Sequence, residues 1–200
     1  MPRPKIYDEA LRERLLEVAV RIVATHGIDA LTLRRVAAEA GTSTSAIYAL
    51  FGGRDELVGD LFVAAYRSFG EDQNRAATRG KGGGSATALA GLGVAYRDWA
   101  LAHPHQYAVM FSGALGDFTL TPEQQRECGD TMSPLRTAVA AGLADGTLSG
   151  DDVDTIALSL WAMVHGLVSL ELTANAELPP EVRRAAFDAA ISALVRGWRG

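Results

Sequence analysis

The sequence predicts an all-α protein. Apolar residues recur at three- and four-residue spacing along nearly the whole chain, Gly and Pro punctuate that pattern at helix-ending positions, and no run reads as a strand. With 200 residues and 48% hydrophobic content, the chain can bury a sizeable core, as one large or two small domains. No segment approaches about 18 uninterrupted apolar residues, and the start, MPRPKIYDEA, lacks the apolar stretch of a signal peptide. The expectation is a soluble cytoplasmic protein with no membrane partner. One cysteine, Cys128, excludes an intramolecular disulfide framework and leaves no Cys cluster for structural zinc.

Taken in order, Tyr7 or Asp8 opens a first helix in which Leu11, Leu15, Val18, Ala19, Ile22 and Val23 share a face and which Gly27 ends. Thr32 then stands before the periodic run Leu33, Val36, Ala37 and Ala40, where its hydroxyl can cap a helix that carries Arg34 and Arg35 outward. Gly41 stops that helix. Ser43 caps the next, with Ala46, Ile47 and Leu50 inward and Thr44, Ser45 and Tyr48 outward. Two short helices joined by a tight turn form a helix-turn-helix, whose second helix enters the DNA major groove while the first crosses the backbone. Small hydroxyl side chains suit that second helix, because they reach base edges or phosphates without holding it out of the groove.

Over residues 31–57 the chain resembles the tetracycline-repressor (TetR) family of bacterial transcription regulators. The matching residues are Leu31, Thr32, Arg34, Val36, Ala37, Ala40, Gly41, Ser43, Ile47, Tyr48, Phe51, Arg54 and Leu57. Thr42 stands where the family usually has Val, Ala49 and Leu50 replace an aromatic or His pair, and Arg54 replaces Lys. The resemblance implies a three-helix DNA-binding head over residues 1–54 and a helical effector-binding and dimerisation domain over 55–200. The helix-turn-helix pattern and the resemblance together place operator DNA against Thr32, Arg34, Arg35, Thr42, Ser43, Thr44, Ser45, Tyr48 and Arg54, and the local basic excess adds Arg3 and Lys5, either as a basic tail reaching a minor groove or phosphates or as an ordinary solvated tail. A net charge of −5 argues on its face against a nucleic-acid binder. Its distribution does not: residues 1–54 carry eight Lys/Arg against six Asp/Glu, and the remainder eleven against eighteen.

Past the motif, a long helix runs from Asp55 through Leu57, Leu61, Phe62, Ala65, Tyr66 and Phe69 to about Thr78, followed by the loop GKGGGS. That loop lacks the spacing of a phosphate-binding loop, so it reads as a flexible connection. Residues 86–102 form the next helix, which His103-Pro104 breaks before a short helix bearing Tyr107, Val109, Met110 and Phe111. His103 and His105 are two apart, the wrong spacing for shared metal ligation on a helix, and neither metal nor cofactor is expected. Residues 122–144 are helical in two parts divided at Ser133-Pro134. Asp151 or Asp152 caps IALSLWAMVHGLVSLEL, apolar nearly all round and therefore expected to be buried on more than one face. Pro179-Pro180 introduces a last helix with a large apolar stripe (Val182, Phe187, Ile191, Leu194, Val195, Trp198) and a small-residue stripe (Ala185, Ala189, Ser192, Ala193).

Residues 96–111 and the Trp161-x-x-x-His165-Gly166 pattern resemble a C-terminal domain type found in many members of the same family. The resemblance implies a homodimer joined through the last two helices, with Trp161, Leu167, Phe187, Ile191, Leu194, Val195 and Trp198 at the interface. It also implies a pocket for an apolar or aromatic small-molecule effector, walled by Phe62, Tyr66, Tyr96, Trp99, Tyr107, Met110, Phe111, Trp161 and His165. The function expected is a ligand-responsive repressor released from a palindromic operator, and not an enzyme. Two other classes stay open: a helical adaptor using the small-residue stripe, and an all-helical enzyme with His165, Tyr107 or His105 as acid/base groups. No Ser/His/Asp, Cys/His or paired-carboxylate arrangement supports the enzyme, and the adaptor leaves the residue 32–54 pattern unexplained.

Overall fold

The computed structural model describes residues 9–80, 82–111, 113, 118–128, 130–150 and 152–198. Among them there are ten α-helices, one 3-10 turn and no strand. They form two compact units, one drawn from residues 1–68 and 103–129 and the other from 69–102 and 130–200. The boundary expected at residue 54 therefore falls inside the first unit.

In the first unit, α1 (Glu9–His26) buries Leu15, Ala19, Ile22 and Val23, the stripe its spacing dictates. A 3-10 turn (Ile28–Ala30) leads to α2 (Leu33–Glu39) and α3 (Thr44–Phe51). The first part of α4 (Arg54–Arg79), α6 (Pro104–Phe111) and α7 (Pro122–Cys128) complete the unit. Val36, Ile47, Leu57 and Leu61 close over α1 with no exposed surface, and Val109 of α6 enters the same core. Fully burying a valine contributes about 1.5–3 kcal/mol. The three-helix head thus recruits a helix from about fifty residues further along the chain, a contact that no local pattern announces. Gly59 on α4 makes room for α7: a Cβ there would lie 1.7 Å from Gln124 Nε2.

The second unit contains the rest of α4, α5 (Ser85–Ala102), α8 (Ser133–Ala144), α9 (Val153–Leu172) and α10 (Pro180–Gly197). Asp152 caps α9 by accepting from the Asp154 and Thr155 amides at 3.1 and 3.2 Å, and Pro134 and Pro180 sit in the first turns of α8 and α10, where no amide donor is needed. Val139, Leu148, Ile156, Leu160 and Val195 form one core, while Trp99 is buried beside Phe69, which also meets Tyr96 edge-on. A buried ion pair ties α5 to α9: Arg97 Nε and Nη2 donate to the Glu171 carboxylate at 2.7 and 2.6 Å. Arg183 Nη1 approaches the same carboxylate from α10 at 3.6 Å.

α9 is long and apolar enough to cross a membrane by length and composition, with mean hydropathy 1.5. Within the unit it behaves as a core helix on one face only. Ile156, Ala157, Leu160, Val164 and Val168 are buried, whereas Leu158 is 57% and Leu170 50% exposed. The expectation of burial on more than one face is not met within the single chain, which covers one face of α9. α10 corrects the interface assignment: Phe187, Ile191 and Val195 are 2%, 5% and 7% exposed and pack inside their own chain, while Leu194 and Trp198 pack beside that core. The face of α10 turned outward is the small one, with Ala185, Ala189, Ser192 and Ala193 exposed.

Candidate nucleic-acid interface and effector cavity

Local chemistry fixes the geometry of α2 and α3. Thr32 Oγ1 accepts from the Arg35 amide at 3.2 Å and Ser43 Oγ from the Ala46 amide at 3.3 Å, so both helices start on side-chain caps. Between them Gly41 takes φ +66°, a left-handed conformation suited to glycine, and the Thr42 amide donates back to the Ala37 carbonyl at 2.9 Å. Ala46, Ile47 and Phe51 then anchor α3 on its inner side. Its opposite side presents Ser45, Ala49 and Tyr48, the last 58% exposed, with Thr42, Thr44 and Leu50 half-buried and Ser43 exposed at the cap.

The three arginines of the motif differ in their partners. Arg34 is exposed and, among the described residues, has no ion-pair partner. Arg35 donates through Nε to Glu39 at 2.9 Å, as does Arg21 through Nη2, and these bonds hold the Glu39 carboxyl below its ordinary pKa. Exposed pairs of this kind contribute little to stability. Arg54 instead turns back into the fold: Nε donates to the Leu31 carbonyl at 2.9 Å and Nη2 to the Ile28 carbonyl at 2.8 Å, bridging the start of the 3-10 turn and the residue that follows it. These bonds give Arg54 a structural role within the head. Arg3 and Lys5 lie outside the described residues.

The nine aromatic and soft residues expected to wall a pocket fall into both units. Phe62, Tyr66, Tyr107, Met110 and Phe111 belong to the first, where Phe62, Tyr66, Phe111 and Tyr107 form a chain of ring contacts with centroids 5.0–6.5 Å apart. The second unit holds a narrow cleft with a cavity volume of about 40 Å³, lined by residues of α4, α5, α8, α9 and α10. Of the expected wall residues, Tyr96 and Trp161 line it. Trp99 is core, and His165 stands behind both, with Nδ1 2.9 Å from the Tyr96 hydroxyl and its ring stacked on Trp161 at 5.2 Å. Burial lowers the His165 pKa below its ordinary value, so the ring is neutral at pH 7.

Sequence reasoning missed Gln73, Gly93 and Leu160 as lining residues, and put Ile191, Leu194 and Val195 on an outer surface when they face the cleft. For Gln73 a signal existed. It continues the stripe Phe62, Tyr66, Phe69 at helical spacing, so a polar side chain sits where the pattern asks for an apolar one.

An all-helical chain with a doubly capped helix-turn-helix in one unit and an apolar cleft in another has the architecture of a DNA-binding transcription regulator. The comparisons with known proteins agree. The family described as "Bacterial regulatory proteins, tetR family" matches residues 15–61, and "Tetracyclin repressor-like, C-terminal domain" matches residues 89–194. The chain belongs to the TetR family of bacterial transcriptional regulators. Among its relatives is an HTH-type transcriptional regulator of Mycobacterium bovis, 26% identical over 82% of this chain and 81% of that one. Among solved structures, a protein of unknown function from Rhodococcus sp. RHA1 is 25% identical, with a TM-score of 0.81 over 99% of this chain and all of the other. The transcriptional regulator FadR from Bacillus subtilis, solved in complex with stearoyl-CoA, shares the fold at TM-score 0.75 and 16% identity over 92% and 98% of the two chains.

Proposed function

We propose that this protein is a cytoplasmic homodimeric repressor that holds a palindromic operator and releases it when an apolar small molecule occupies the cleft of the second unit. The observation that carries this reading is the open face of α3, where Ser45 and Tyr48 stand outward on a helix anchored by Ala46, Ile47 and Phe51. In that reading α3 enters the major groove, Ser43, Thr44, Ser45 and Tyr48 meet base edges and phosphates, and Thr32, Arg34, Arg35 and Thr42 hold the backbone, joined by Arg3 and Lys5. Functionally, residues 1–54 form the DNA-binding head and 55–200 the effector and dimerisation part.

The outward apolar face of α9 and the small-residue face of α10 support a two-fold contact with a second copy, because small residues let a partner helix approach closely. The Trp161-x-x-x-His165-Gly166 segment fits the C-terminal type expected from sequence, since Trp161 lines the cleft and His165 braces it. α4 contributes residues to both units and is the element we assign to carrying effector occupancy to the head.

Selection of bound sequences from random DNA, followed by titration of the preferred site, tests this reading. Thr44→Ala and Ser45→Ala should each change preference at particular bases by about 1–3 kcal/mol, and Arg34→Ala should weaken binding to all sequences and flatten the salt dependence. Enrichment of no sequence, or an unchanged preference in both hydroxyl variants, would remove α3 from the recognition role.

A further inference from the structure

The cleft of the second unit carries a specific chemical demand. None of its lining residues bears a formal charge. Among the described residues, two buried side-chain polar atoms have no hydrogen-bond partner, Gln73 Nε2 and Arg183 Nε, and of these two residues only Gln73 lines this cleft. Gln73 is 5% exposed. Folded proteins pair nearly all such donors, with protein, water or ligand. The other polar groups nearby are differently placed: the Tyr96 hydroxyl is already engaged by His165 Nδ1, and Thr131 is only half-buried.

We infer that the effector is an uncharged, mostly apolar molecule bearing a hydrogen-bond acceptor such as a carbonyl oxygen, and that Gln73 Nε2 is the donor that selects it. This rests on the reading of the cleft as the effector site. A carboxylate or phosphate entering here would meet no cation and would lose its hydration without replacement. A pure hydrocarbon would fill the apolar walls yet leave the amide unpaired, and a site with a buried unmet donor discriminates against ligands that cannot answer it. Gly93 marks the wall that can be closed, since a Cβ placed there would reach Ile191 and Val164 at 3.5 Å and a longer side chain would enter the cleft.

The test uses the full chain and three probes of similar shape: 4-phenylbutan-2-one, 3-phenylpropanoate and butylbenzene, titrated calorimetrically at neutral pH. In the wild type the ketone should bind at least about tenfold more tightly than either of the others. Gln73→Leu should bring the ketone down to the hydrocarbon's affinity without weakening the hydrocarbon, and should leave the melting temperature of the unliganded protein equal or higher, because it removes an unpaired buried donor. Gln73→Met provides the same comparison if the leucine variant does not fold. Gly93→Leu should abolish binding of all three. Equal or tighter binding of the carboxylate, or a ketone preference that survives at Gln73→Leu and Gln73→Met, would overturn the inference while leaving the cleft as the binding site. Failure of every probe to bind the wild type at about 1 mM, or binding that Gly93→Leu does not affect, would overturn the reading of the cleft itself.

Discussion

The α2–α3 pair and the α9–α10 pair are both two-helix elements, yet they leave opposite surfaces uncovered. The first buries a thin apolar stripe and shows Ser43, Ser45, Arg34 and Tyr48. The second buries a wide one and still exposes Leu158 and Leu170, beside the small residues of α10. A polar outer face is satisfied by water and can exchange it for a hydrogen-bonding partner such as nucleic acid. An apolar outer face asks for another packed surface. The two pairs also differ in how they are held: caps and a glycine turn fix the first locally, whereas the second is pinned by a buried ion pair between α5 and α9.

That contrast is broken most severely at the ion pair. Glu171→Ala leaves Arg97, whose side chain is almost fully enclosed, charged and without its bidentate partner, and should cost about 3–5 kcal/mol in urea unfolding. Arg97→Met combined with Glu171→Leu should recover most of the loss, since it removes both charges; a double variant as unstable as the single one would show that the pair does more than neutralise itself.

Next come two charges placed on the two faces of the second pair. Ile191→Asp puts a carboxylate into the chain's own core and should unfold the second unit. Leu158→Glu puts one on the outer face of α9 and should yield a folded monomer. Sedimentation with circular dichroism distinguishes the two, and a Leu158→Glu protein that stays dimeric would move the interface elsewhere.

In the first pair, Arg54→Ala should lower the melting temperature without any DNA present, because Leu31 and Ile28 lose hydrogen bonds from a charged donor, a loss of about 1–3 kcal/mol. An unchanged melting temperature with weakened DNA binding would instead make Arg54 a direct phosphate contact.

The smallest effect expected is a pH dependence. His165 has its pKa lowered by burial, so the unfolded chain takes up a proton near the ordinary value of 6.5 while the folded chain resists it. Stability contributed by the neutral ring is therefore present above about pH 6.5 and declines as pH falls toward the folded pKa. His165→Gln should flatten that part of a plot of melting temperature against pH.

Sequence alone determined the all-helical class, the family, and the local architecture of the head, because caps such as Thr32, Ser43 and Asp152 and the turn at Gly41 act within three or four residues of where they stand. It also carried the two-stripe pattern of α10. Which stripe faces inward was settled only by tertiary packing, since periodicity specifies that two faces differ but not which neighbour each one meets; Ile191 and Val195 proved to be core and cleft wall. The same limit explains the other surprises. Val109 joins the core of the head, Arg54 turns to carbonyls more than twenty residues away, and Gln73 lines an apolar cleft with an unpaired amide. Each depends on contacts between segments far apart in the chain, which only the folded structure brings together.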